Sequence, residues 1–196
     1  MSDWEKIFAD GIKAEWKNSN IGLDDIRLGG SCWGAKTVKA PKPALAKRVR
    51  LISGRNALGY SYAENDARSL DPNTAGELVL GIWNARVSSV KKHFAHCRTV
   101  VLIKSDTLAE CAMFELDTVR FEPELYSWEW NNHGNLEGSD EKGEHKFTWQ
   151  PHGSQFTIIE TVPKDRIAFR LRLPDTLPRD TALKALGFDA TWIEIL

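Results

Sequence analysis

The chain has 196 residues, 42% hydrophobic and 27% charged, with 26 basic side chains against 27 acidic ones and a formal net charge of −1. That balance supports one folded domain over residues 1–196 and excludes a disordered or low-complexity chain. No apolar run reaches the length of a membrane span, and charges interrupt the opening MSDWEKIFADGIKAEWK where a signal peptide would be apolar. Three cysteines, Cys32, Cys97 and Cys111, include no closely spaced metal-type pair and suit a reducing compartment, so a cytoplasmic protein without a membrane partner is expected.

The neutral total hides an asymmetry. Between Ile26 and Ala63 there is no acidic residue, while Arg27, Lys36, Lys39, Lys42, Lys47, Arg48, Arg50 and Arg55 all lie there. Acids crowd the stretch 106–144, where only Arg120 and Lys142 oppose them. A basic face of this kind is the footprint of a phosphate-backbone binder, although charge runs also make ordinary solvated loops.

In chain order, Trp4, Ile7, Phe8, Ile12 and Trp16 fall near helical spacing, with Ser2 or Asp3 as the cap, and predict a helix over 4–17. Residues 25–28 and 32–40 read as two strands about the Gly29-Gly30-Ser31 turn, and Pro41-Lys42-Pro43 ends the second. A third strand is expected over 48–53, followed by a long polar loop up to Gly76 of the functional kind. Residues 77–83 suit a strand or an early helical turn, 88–93 a helix, and TVVLIK at 99–104 a buried central strand. Beyond it, CAMFELDTVRF, YSWEWN, HKFTWQ, SQFTIIETV and RIAFRLRL alternate with period two. The end reads as a short helix, a glycine stop and a terminal strand. The fold class is therefore α+β: a mixed central sheet built on an αβββαβ core over about 4–104, with a β-rich extension over about 105–196.

Three constellations could carry chemistry. The first is the hairpin DDIRLGGSCWGAKTVK, with Asp25 before its turn and Lys36 inside an otherwise small, apolar strand. Lys36 suits catalysis, a phosphate contact or a plain edge charge. The second is Arg55 and Asn56 in SGRN with Arg86 in IWNAR, side chains that bond phosphates and base edges but also stabilise polar loops. The third is the aromatic, amide-rich pair WEWNNHGNLEG and HKFTWQPHGSQF. There Asn131, Asn132, His152 and Gln155 could read or stack a base, or could build turns.

The αβββαβ order, with Asp25 at one strand and Lys36 on the next, resembles the core of the PD-(D/E)XK superfamily of restriction enzymes and repair nucleases. The resemblance implies a DNA endonuclease that hydrolyses phosphodiester bonds with Mg²⁺, Asp25 binding the metal and Lys36 standing near the attacking water. In that family an acid precedes the lysine by two residues, and here Gly34 occupies the place. Members that supply this carboxylate from the following helix point to Glu77 as the second metal ligand and catalytic acid, with Asp66, Asp71 and Glu15 as further acids. Lys39, Lys42, Arg48, Arg50, Arg55 and Arg86 would grip DNA, and a homodimer is implied by the same likeness. The alternatives are a non-catalytic nucleic-acid-binding or defence-associated module, and a β-rich ligand-binding domain.

Overall fold

The structure is a computed structural model and describes residues 3–17, 22–172 and 175–187. Helix α1 (Asp3–Ile12) buries Phe8 and Ala9, and ends five residues earlier than its apolar spacing suggests because Lys13 turns left-handed at φ 60°. The released residues form a short strand, β1 (Glu15–Trp16), paired with β2 (Ile26–Leu28). Strand β2 turns through Gly29 and Gly30 into β3 (Ser31–Lys39), as the glycine pair predicts.

Strand β4 (Arg48–Arg55) follows, then α2 (Leu58–Tyr62) and α3 (Pro72–Lys91). Residues 77–83 are helical despite their strand formers. The Asp71 carboxylate accepts from the Asn73 and Thr74 amides at 3.0 and 3.2 Å, and Pro72 opens the helix, so the cap upstream decides the conformation. Tertiary packing then buries Val79, Leu80, Trp83, Val87 and Val90 along one side. Beyond α3 come β5 (His96–Lys104), β6 (Glu110–Asp117), β7 (Tyr126–Trp130), β8 (Leu136–Asp140), β9 (His145–Gln150), β10 (Gln155–Thr161), β11 (Ile167–Arg170) and α4 (Arg179–Ala185). The expected terminal strand after the glycine stop and the Ser2 cap lie outside the described residues.

The fold is α+β with a mixed sheet. Six strands run in the order β1-β2-β3-β5-β6-β11, antiparallel except for β3 and β5, which lie parallel across the crossover that contains α3. The second sheet is antiparallel, in the order β4-β10-β9-β8-β7. The strand at 48–53 exists but pairs with β10 instead of joining the hairpin sheet. Its alternation explains this: Val49, Leu51 and Ser53 are buried while Arg48, Arg50 and Ile52 are exposed, the pattern of an edge strand with one wet face.

Strands are thus exchanged between the two halves of the chain. Val49 and Leu51 of β4 pack on Val101, Ile103, Ala112 and Phe114 of the first sheet. Helix α3 joins both sheets, meeting Trp128, Phe147, Trp149 and Phe156 on one side and Cys32 and Cys97 on the other. Helix α1 covers the opposite face of the first sheet through Ile26, Ala35 and Val100. No helix among the described residues is long and apolar enough to cross a membrane.

Candidate functional site

Lys36 lies opposite Val101 of β5, on the face of β3 that looks towards α3 and β4. It lines three cavities: one of about 740 Å³ with α2 and α3, a groove of about 260 Å³ along β4, and a gap of about 30 Å³ between the sheets. Burial draws its ammonium below the ordinary value, Asp25 partly restores it, Arg86 lowers it further, and Glu5 acts in the same sense as Asp25.

Asp25 is 5% exposed, and Leu23 and Ile26 beside it are fully buried. How it reaches this depth is answered at Gly34. A Cβ there would sit 2.8 Å from the Gly22 carbonyl oxygen and 3.1 Å from the Leu23 Cα, because the backbone leading to Asp25 crosses directly over β3 at that point. The position where the nuclease pattern has an acid is filled by main chain, and the carboxylate arrives on the crossing segment. Asp24, next to it, pairs with Arg27 instead.

Arg86, on α3, is held by three features. Its Nη1 donates to the Ser53 carbonyl at 2.7 Å, its guanidinium stands 5.7 Å from the Trp83 ring centre, and it occupies the space that a Cβ on Gly54 would take, 2.6 Å from Nη1. Gly54 also has φ 114°, which glycine adopts without cost. Burial lowers the Arg86 pKa as well. With the exposed Arg55, the largest cavity therefore has Lys36, Arg55 and Arg86 on its walls and no carboxylate among the described residues lining it.

The other expected contacts divide. Lys39 and Arg50 line the groove that continues from Lys36, Lys39 pairing with Asp106 at 3.0 Å and Arg50 donating to Thr148 Oγ1 at 3.0 Å. Arg48 donates to the His145 carbonyl at 2.6 Å, and Lys42 is exposed. Asn56 does not face solvent: it is 0% exposed, its Nδ2 donates to the Val79 carbonyl at 2.8 Å, and its own carbonyl accepts from Trp149 Nε1 at 2.9 Å. A base cannot reach it, and its role is to tie β4 to α3 and β9. Asn131 is a turn builder, donating to Glu137 and accepting from the His133 and Asn135 amides. Asn132 is exposed on that turn, Gln155 is half-buried in the β9–β10 pairing, and His152 is exposed at a separate cavity.

Glu77 is exposed on α3, lines none of the three Lys36 cavities and is not among the charges acting on Lys36. Asp71 caps α3, and Glu15 is exposed on β1. The acid that sequence reasoning missed is Glu5, half-buried on α1 and accepting from Trp16 Nε1 at 3.2 Å. Its position one turn before the buried pair Phe8 and Ala9 was the available signal. Among the described residues no three His, Cys, Asp or Glu side chains converge as a metal site. Comparison with protein-family models, curated proteins and solved structures gives no match for this chain.

Proposed function

We propose that the chain is a DNA endonuclease of the restriction-enzyme kind, hydrolysing phosphodiester bonds in the cavity walled by Lys36, Arg55 and Arg86. The observation that carries this reading is the desolvated Lys36, which lines a cavity whose charged walls among the described residues are all cationic and which lies within electrostatic reach of a buried carboxylate, Asp25. Perturbed groups of this kind concentrate at functional sites, because burying an ammonium beside a guanidinium costs folding energy. The parallel β3–β5 pair with a helix in its crossover also agrees with the nuclease-like core.

In this reading Arg55 and Arg86 bind the non-bridging oxygens of the scissile phosphate and Lys36 orients the attacking water. The new bond forms between water oxygen and phosphorus as the water gives up a proton to solvent, the bond to the leaving sugar oxygen breaks, and that oxygen takes up a proton from solvent, so the two transfers balance. Glu5 lies on α1 against the other face of the sheet and accepts from Trp16 Nε1, which leaves Asp25 as the carboxylate available to Mg²⁺. It suits an ion that takes one or two carboxylates and completes its shell with water and phosphate, and does not suit a closed protein cage. When bound, the metal supplies neutralisation of the charge that develops on the phosphate. Lys39 and Arg50 extend the contact along the backbone.

The test is Mg²⁺- or Mn²⁺-dependent cleavage of plasmid, methylated, single-stranded and RNA substrates by the intact chain and a Lys36→Ala variant. The expected result is cleavage lowered about 100-fold or more by the substitution. Full activity in Lys36→Ala, or no cleavage of any substrate by the unaltered chain, overturns it. That no three metal donors converge among the described residues favours a second reading, a nucleic-acid-binding module without catalysis. Salt-sensitive DNA binding without cleavage would select that one.

A further inference from the structure

Helix α2 separates two cavities of opposite character. On one side lies the cationic cavity already described. On the other is a second one of about 480 Å³, within the range of small-ligand sites, on whose walls are Glu64, Asn65, Asp66 and His152. Tyr60 lines both cavities and is 94% exposed, so its ring is not spent on the core.

Two carboxylates make the second cavity a poor place for phosphate. They suit a neutral group that presents hydrogen-bond donors. Asp66 makes no side-chain cap to the short turn that follows it, while Glu64 accepts from the Asp66 amide at 2.8 Å. Arg68, the cation on this wall, reaches to the Gly134 carbonyl at 3.5 Å. A phosphate site and a donor-binding site on either side of an exposed aromatic ring match the parts of one nucleotide.

We infer that the second cavity is a nucleobase subsite. It takes one unstacked base bearing an exocyclic amino group, cytosine foremost, against Tyr60, while the phosphate of the same strand sits at Arg55 and Arg86. The carboxylate of Asp66 accepts from the amino group, the pairing expected of an acid and cytosine N4. Tyr60 supplies stacking, which any base can use and which is worth about ten-fold in affinity per base. The inference rests on the proposed phosphate site and adds to it the class of base held beside the scissile bond.

The experiment measures fluorescence anisotropy of labelled oligodeoxycytidine, oligothymidine and a base-free sugar-phosphate strand, in chelator so that nothing is cut. The intact chain is expected to prefer the cytosine strand over the base-free strand by about ten-fold or more. Tyr60→Ala should remove that preference while leaving the base-free strand unaffected. Asp66→Asn should remove the preference for cytosine over thymine, and Arg55→Ala should weaken all three strands alike. Equal binding of cytosine and base-free strands by the intact chain, or uniform weakening by Tyr60→Ala, overturns the base subsite and leaves the phosphate site standing. An Arg55→Ala variant with undiminished affinity for every strand overturns the phosphate site, and the base subsite with it.

Discussion

Restoring the missing acid tests how the site is built. If Gly34 were a decayed catalytic position, Gly34→Glu would complete a nuclease tripeptide and raise activity. The geometry forecasts the reverse. The first added carbon already falls 2.8 Å from the Gly22 oxygen and 3.1 Å from the Leu23 Cα, both main chain, so no rotamer relieves the contact. The strand cannot retreat either. Gly34 is matched with Thr99 in β5 on one side, and its neighbour Trp33 is matched with Ile26 in β2 on the other. Overpacking of this sort costs about 1–3 kcal/mol, and each kcal/mol lowers the Tm of a chain this size by about 2–4 °C. Gly34→Ala should therefore melt about 2–12 °C lower by circular dichroism, and Gly34→Glu lower still, and under the proposed function cleavage should fall because Asp25 is displaced. A Gly34→Glu protein that melts as the parent does and cleaves DNA faster would refute the reasoning outright.

The remaining predictions concern charge and buried polarity. Burial holds Lys36 below its ordinary 10.5, so the unfolded chain binds that proton more tightly, and stability should rise with pH from the lowered value up to 10.5. Urea denaturation of Lys36→Met across this alkaline window should lack that rise. Glu160 is raised above its ordinary 4.5 by burial, with Lys146 partly offsetting, so its favourable protonated state is present below 4.5 and lost as pH climbs through the raised value. Glu160→Gln should melt higher than the parent at neutral pH, the gap closing well below 4.5. Asn56→Ala should cost about 1–3 kcal/mol in urea titrations through loss of the buried Nδ2 bond to the Val79 carbonyl, the backbone bond from Trp149 being kept, without altering the salt dependence of DNA binding. Inorganic pyrophosphate should raise the Tm of the intact chain and raise it less in Arg86→Ala; equal shifts would place the anion elsewhere.

What could be read in the sequence was local. The Gly29-Gly30 turn announces the hairpin that carries Lys36, and the alternating runs after residue 104 announce strands, because turn chemistry and period two act over a few residues. The Asp71-Pro72 cap was equally legible, yet the strand-forming character of residues 77–83 competes with it and only helix packing resolves the contest. Contacts between distant segments left no such mark. Nothing in RVRLIS tells which sheet it joins, Asn56 is exposed or buried according to where Trp149 lands, and Glu5 becomes an electrostatic neighbour of Lys36 only after α1 packs on the sheet. Gly34 read as an absence in sequence and is occupied space in three dimensions.

Two close approaches shape the site, one on each side of Lys36. At Gly34 the chain admits a crossing backbone that delivers Asp25, and at Gly54 it admits the guanidinium of Arg86. The first adds a charge that steadies the ammonium and the second one that opposes it, and burial weakens both cations. An apolar side chain at 36 would satisfy the β3 face at lower cost, since buried like charges stabilise nothing by themselves. Asp25 offsets part of the repulsion between Lys36 and Arg86, and under the proposed function a phosphate entering the cavity would add a second counter-charge. The same glycines that make the fold intolerant of larger residues thus bring Asp25 and Arg86 within electrostatic reach of Lys36.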